Sequence, residues 1–244
     1  MTNVLIPSMG KSLFFKDSYF PKQMIEVGGK TILEHVVENF KTLDDYHFIF
    51  VFEHKDCAEF HLDESVKILT DNDADVLVLE NQTAGALCTS LMATPWINNS
   101  EQLIIANCDQ ILDVNYHEVI KTFEEKSCGA GAITFDSIHP RWSYVKIDDE
   151  DNVVEVAEKR PLSKHAIAGF YYFDQGKKFV EAAERVILKD NNINGMYYIS
   201  SSLNEMILKG EKVGYFEISR DKYHSFYSPE KLKEYEGRIK HYAC

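Results

Sequence analysis

Four short apolar runs, residues 3–6, 47–52, 75–79 and 102–106, recur along the first half of the chain. The segments 31–40, 83–94 and 115–126 between and after them carry apolar residues at helical spacing. A strand that reaches its neighbour by way of a helix lies parallel to it, and the crossing helix covers a face of the sheet. The alternation therefore predicts an α/β fold with a mostly parallel sheet. The second half changes character. Residues 130–135, 142–147 and 153–158 read as strands with short polar connections, and "DDEDN" at 148–152 reads as a hairpin turn. A strand follows at 167–173, then a helix capped by Asp174 and running to about Lys189, helical spacing over 197–209, and a strand at 213–218. Pro229 is well placed to open a C-terminal helix. The whole reads as an α/β sheet with an antiparallel insertion.

A chain of 244 residues, 45% of them hydrophobic, is long enough to bury one large core, and a single domain is expected. No run approaches eighteen uncharged apolar residues, and the first residues lack the pattern of a secretory signal, so a cytoplasmic protein is expected. The five cysteines form no CxxC pair and are odd in number, which points to inert thiols rather than a disulfide framework or a structural zinc. A net charge of -13 argues against nucleic acid and against acidic membrane surfaces as partners. An anionic substrate would have to be held by a few local cations or by a metal ion.

In open α/β sheets ligands bind beyond the carboxyl ends of the strands, so the loops there are the places to search. The first holds Ser8, Gly10, Lys11 and Lys22, where backbone N–H groups and ammonium groups suit phosphates, although one glycine is also ordinary in a strand-to-helix loop. The third holds Gln82, able to read a planar amide or base edge, and Gly85, which permits close approach of a ring. The same "QTAG" also fits a helix start capped by its threonine. The fourth strand runs into Asn107 and Asp109, placing a carboxylate where Mg²⁺ is commonly held together with phosphates, or where a turn ends. Glu158 and Lys159 end a later strand, and Gly169 lies inside another, marking a bulge or a ligand's approach. No GxSxG elbow, HExxH or GxxxxGK[ST] loop is present.

Taken in order, "LIPSMGK…FPKQMIEVGGKTILEHVVENF", "NQTAGAL", "ANCDQ", "AEKRP", "AGFYYF" and "YSPEKLKEY" resemble the sugar-phosphate nucleotidyltransferases, the nucleoside-diphosphate-sugar pyrophosphorylases. The resemblance runs from Val4 to about Tyr235 and is similar to members from bacterial capsule and lipopolysaccharide clusters. It implies a Rossmann-like mixed, mostly parallel sheet of the type related to GT-A glycosyltransferases, with residues 1–128 as the nucleotide-binding half and 129–244 as the sugar-phosphate half. It implies that a nucleoside triphosphate (NTP) is joined to a sugar 1-phosphate with release of pyrophosphate, using Mg²⁺. Residue by residue, Lys22 matches the lysine that contacts phosphates, Gln82 and Gly85 the base-reading positions, and Asp109 the Mg²⁺ aspartate. Glu158, Lys159 and Gly169 match positions on the sugar-phosphate side, while Ser8, Gly10 and Lys11 fall in the triphosphate loop. Homo-oligomer formation is left open.

Two positions depart from that pattern. "GKSLFF" stands where the family loop carries a second glycine and an arginine, and Ser225 stands where many members have a second metal-binding aspartate. These departures keep a non-catalytic nucleotide or sugar-phosphate binding protein in view. A GT-A-type glycosyltransferase is a further alternative, disfavoured because "NCDQ" is not a DxD motif. The segment "HPRWSY", with His139, matches nothing assigned; surface structure is its first reading, and shaping of an unusual acceptor pocket the other.

Overall fold

The computed structural model describes residues 1–10 and 14–242. The chain opens with β1 (Thr2–Pro7), a hairpin of β2 (Glu26–Val27) and β3 (Lys30–Thr31), and α1 (Ile32–Asn39). Thr31 begins α1 as half of a capping box: its hydroxyl accepts from Glu34 N–H, and Glu34 accepts from Thr31 N–H. Next come β4 (Tyr46–Glu53), α2 (His54–Phe60), α3 (Leu62–Leu69), β5 (Ala74–Leu79), α4 (Ala86–Leu91), α5 (Thr94–Ile97) and β6 (Gln102–Ala106). The order continues through β7 (Gln110–Leu112), α6 (Tyr116–Glu125), β8 (Ala130–Asp136), β9 (Ser143–Ile147), β10 (Val153–Glu158), β11 (His165–Phe173) and α7 (Gly176–Leu188). It ends with α8 (Ser200–Leu208), β12 (Val213–Ile218), β13 (Tyr223–Ser225) and α9 (Pro229–Tyr242).

Nine strands form one mixed sheet. β1 pairs in parallel with β4 and β6, and β5 extends β4. β11 runs antiparallel to β6 along one edge and to β8 along the other, and β12 lies parallel to β8. The register of β11 with β8 breaks between Ile167 and Tyr171, and the first half of β11 touches β9, which pairs with β10. This is the expected α/β class, with the antiparallel strands built onto the parallel set. The period of two along each strand divides the core. Val4, Ile6, Phe48 and Phe50 pack with α1, α3 and α6 on one face. Leu5, Ile49, Leu103 and Ile105 pack with α4, α7 and α8 on the other. The sheet is thus buried on both faces, as parallel strands require.

Four local expectations change. Asp174 does not cap α7; it accepts a hydrogen bond from Lys178, and Gln175 holds the cap position without a side-chain bond. The helix expected over 83–94 starts only at Ala86, with Gly85 at the cap position, and Thr83 bonds to the Gly85 carbonyl and to Thr89 instead. The helix expected from Tyr197 starts at Ser200. The helices α2 and α3 were not anticipated. The expected turn at 148–152 is present, closed by Asp148 N–H to Asn152 carbonyl at 3.0 Å. Cys57, Cys88, Cys108 and Cys128 are unpaired thiols, and burial pushes each of them up from its ordinary pKa, so they are poor nucleophiles. Among the described residues no helix is long and apolar enough to cross a membrane.

Candidate active site

The site is built outward from the carboxyl end of β1. Ser8 continues the strand line by donating its N–H to the Val51 carbonyl. Gln23 reaches back to it, donating its amide to both the Ser8 carbonyl and the Ser8 hydroxyl. That clamp fixes a single turn of 3₁₀ helix, Lys22–Met24, against the strand end. The turn in turn presents Lys22, whose Nζ lies 2.8 Å from Asp109 Oδ2.

Asp109 follows β6 and is held from both sides. Its carbonyl accepts from Phe226 N–H at 2.8 Å, and Asn107 N–H donates to the Gly169 carbonyl at 3.0 Å. The Asn107 side chain donates to Gln110, which donates onward to the Ala168 carbonyl. Gly169 makes this possible: at φ +62° a Cβ would stand 2.2 Å from Asn107 Nδ2 and 2.6 Å from Gln110 Oε1. The Lys22–Asp109 pair is mostly buried, with 11% and 20% of the two side chains exposed. Burial alone would push the Lys22 ammonium down, but the Asp109 charge and hydrogen bond override it and hold it above its ordinary value.

A cleft of about 430 Å³ opens beside this pair, lined by Gly10, Lys22, Gln82, Gly85, Asn107 and Asp109, with Thr83, Thr89 and Met196. Five of the residues singled out in the sequence therefore share one wall. Gln82 is exposed and its amide lies 3.3 Å from Glu53. Gly85 has φ +111°, and its missing Cβ leaves room for the Tyr197 carbonyl, which a Cβ would meet at 2.4 Å. On that side the close approach is made by the chain's own backbone, while Gly85 itself lines the cleft. Gly169 likewise serves Asn107 and Gln110 and does not face the cleft as a bare surface. Ser8 is 1% exposed and its hydroxyl is engaged by Gln23, which places it beneath the site. Lys11 lies outside the described residues.

Glu158 ends β10 and Lys159 follows it, and neither lines this cleft. Glu158 accepts from the hydroxyls of Ser143 and Ser200. Lys159 sits at φ +54°, a conformation uncommon for a residue with a side chain, and is held there by its N–H on the Trp142 carbonyl. Its Nζ donates to Tyr198 Oη at 2.6 Å. Two buried phenols, Tyr171 and Tyr223, each stand near one of the two carboxylates, Glu158 and Asp109. Burial pushes both upward, and Tyr171 also feels Glu158 while Tyr223 also feels Asp109. Asn107, Gln23, Tyr198 and Tyr223 were not among the candidate site residues. Asn107 was signalled only by its place two residues before Asp109.

The donor chemistry bears on Mg²⁺. Among the described residues no three His, Cys, Asp or Glu side chains converge. Ser225 stands opposite Gln110 in the β7–β13 ladder, beside Asp109. One carboxylate of this kind fits an ion that keeps its waters and draws its remaining ligands from phosphates, not a cage made of protein alone.

Known proteins place the chain. The nucleoside-diphosphate-sugar pyrophosphorylase of Vibrio cholerae RC9 superposes with a TM-score of 0.80 over 97% of this chain and 100% of that one, at 21% identity, a likeness of fold. The bifunctional protein GlmU of Methanocaldococcus jannaschii is 26% identical over 159 residues, 64% of this chain and 35% of that protein. The low-salt glycan biosynthesis nucleotidyltransferase Agl11 of Haloferax volcanii is 23% identical over 161 residues, 63% of this chain and 43% of that protein. The chain thus spans less than half the length of either of these two relatives. The family model for nucleotidyl transferases matches residues 18–221, a stretch that includes Lys22, Gln82, Asp109, Glu158, Lys159 and Gly169. The chain is a member of the nucleotidyl transferase family.

Proposed function

We propose that this protein joins a nucleoside triphosphate to a sugar 1-phosphate, or a closely similar phosphorylated precursor, releasing pyrophosphate. The observation that carries this reading is the Lys22–Asp109 pair at 2.8 Å on the wall of a cleft shared with Gly10, Gln82 and Gly85. An oxygen of the acceptor phosphate attacks the α-phosphorus. A new P–O bond forms as the bond from the α-phosphorus to the bridging oxygen breaks, and pyrophosphate leaves with that electron pair. No protein nucleophile is needed, so the residues have to align two anions and neutralise their charge.

Lys22 supplies a fixed positive charge to the triphosphate once its pair with Asp109 opens, and Asp109 is then free to hold Mg²⁺. Bound there, Mg²⁺ would supply charge neutralisation at the phosphate oxygens and the leaving group. Gln82 and the backbone around Gly85 face the base, and Lys159, steadied by Tyr198, faces the acceptor phosphate. In a chain of net charge -13 these few cations have to reverse the local field, so dependence on Mg²⁺ should be strong. Reliance on nucleoside triphosphates is the motive for assigning the reaction to the cytoplasm. The product proposed is a precursor of surface polysaccharide of the capsule or lipopolysaccharide kind; the name of the Haloferax relative, a glycan biosynthesis nucleotidyltransferase, supports a glycan precursor.

The test is pyrophosphate release from the purified protein with Mg²⁺, each common NTP in turn and a panel of sugar 1-phosphates. Turnover with one pair is expected. A triphosphate that raises the melting temperature with no turnover on any acceptor would favour the non-catalytic binding protein, for which Ser225 beside Asp109 is the specific motive.

A further inference from the structure

The chain carries 39 acidic and 26 basic residues, so a guanidinium without a carboxylate is out of keeping with its surroundings. Of its five arginines, Arg160, Arg185 and Arg238 pair with Glu155, Glu181 and Asp113. Arg141 and Arg220 have no carboxylate partner among the described residues, and both line the same cleft, of about 430 Å³, together with Tyr223, His224 and Ser225. The other cations of this cleft are matched: Lys231 by Glu234, and Arg238 by Asp113.

The two guanidiniums are laid on a common aromatic platform. Phe135 and Tyr223 stack with centroids 4.7 Å apart at 9°, and Trp142 meets both edge-on at 5.4 Å. Arg141 lies 4.3 Å from the Trp142 ring centroid, and Arg220 lies 4.6 Å from that of Phe135 and 5.4 Å from that of Tyr223. A guanidinium held over an aromatic face keeps its N–H donors for two-pronged recognition of a carboxylate or phosphate. Topology puts this platform beside the proposed reaction. Arg141 follows β8 and Arg220 follows β12, two strands that run parallel to each other, and both β8 and β6 run antiparallel to β11. Arg141, Arg220 and Asp109 thus all lie beyond carboxyl ends of the sheet, and the Tyr223 phenol is close enough to feel the charges of all three.

We propose that Arg141 and Arg220 form a second anion subsite, which takes a carboxylate or phosphate group carried by the acceptor away from its reacting phosphate, or arriving as free phosphate. The acceptor arm of this proposal rests on the nucleotidyl-transfer reading above, and it names the acceptor class: an acidic sugar phosphate. It also gives "HPRWSY" a task.

The experiment compares the wild type with the Arg141→Gln, Arg220→Gln double variant, first by calorimetric binding without any NTP. The probes are glucose 1-phosphate, glucuronic acid 1-phosphate, glucose 1,6-bisphosphate and inorganic phosphate. The wild type should bind an acid-bearing sugar about 10-fold or more tightly than glucose 1-phosphate, and the double variant should lose that ratio. Arg220→Lys should not restore it, because an ammonium keeps the charge and loses the fork. Free phosphate as the occupant would instead bind the wild type and not the double variant, with no preference among the sugars. Absence of both effects, or their persistence in the double variant, overturns the proposal. A chain that turns over no NTP still answers these binding measurements, whereas turnover on neutral acceptors without the preference would sink the subsite and leave the reaction standing. Thermal unfolding of the variants without phosphate checks the fold, and Arg141→Lys, Arg220→Lys replaces the double variant if that one fails to fold.

Discussion

Lys22 Nζ and Asp109 Oδ2 meet at 2.8 Å across 87 positions of sequence, each the other's charged partner in a mostly buried setting. Asp109→Asn leaves the Lys22 ammonium without its counter-charge, at a cost of ~1–3 kcal/mol in stability. Pyrophosphate release should fall by about 10²–10³-fold or more. Replacing both partners, as Lys22→Met with Asp109→Leu, should recover much of the melting temperature and none of the turnover. A double-mutant cycle read by thermal unfolding and by activity separates the two roles. Unchanged turnover in Asp109→Asn would remove Asp109 from the chemistry.

Gly169→Ala tests the platform under Asp109. The added carbon would have to adopt φ +62° and displace Asn107 and Gln110. A loss of about 2–4 kcal/mol is expected from backbone strain and overpacking together, read from the urea midpoint. Turnover should fall even at temperatures where the variant is fully folded, since the Asn107 shift moves Asp109.

Tyr198→Phe keeps a ring 4.7 Å from Lys159 Nζ and removes only the hydroxyl it bonds. Stability should change by less than about 1 kcal/mol. The KM for the acceptor should rise by roughly 3- to 10-fold with little change in kcat, on the scale of a single lost hydrogen bond. A fall confined to kcat would contradict the positioning role.

His47 supplies a pH dependence that is independent of the site. Burial tends to lower its pKa, but hydrogen bonds to Asp75 and Asp73 raise it above the ordinary 6.5. A histidine whose folded pKa is raised stabilises the fold fully below its unfolded pKa and loses that contribution as pH rises through the folded value. Denaturant titrations at pH 5.5 and 8.5 should therefore show His47→Gln destabilised by ~0.5–1 kcal/mol at the lower pH and nearly level with the wild type at the higher.

The parallel core and most strand limits were legible because residues 3–6, 47–52 and 102–106 are apolar runs too short for helices. α2 and α3 were not, since His61 at φ +54° splits the segment and leaves Cys57 buried in the first helix and only Leu62 and Val66 in the second. Too little period remains to read. In the site, Lys22 and Asp109 were legible one at a time, from their places after strand ends, but their pairing depends on Gln23 anchoring a turn to Ser8. The glycines also serve the chain's own packing: the space a Cβ would take at Gly85 and Gly169 is filled by Tyr197, Asn107 and Gln110, while Gly85 still lines the cleft. The Arg141–Arg220 platform was invisible because only the parallel pairing of β8 with β12 brings the two segments together.

β11 lies between β6 and β8, two strands made before it. A chain growing from its N-terminus therefore leaves β6 open on one side and β8 without a sheet neighbour until residue 173 has been added. Until then β6 has no neighbour on its outer side, and the Asp109 loop lacks the Gly169 carbonyl that accepts from Asn107. Pairing across such sequence distances is slow, and open edges recruit foreign strands. Truncations that end before β11 should accordingly be the aggregating species of this protein, and solubility should rise in two steps, first at completion of β11 and again at β12, which covers the other side of β8.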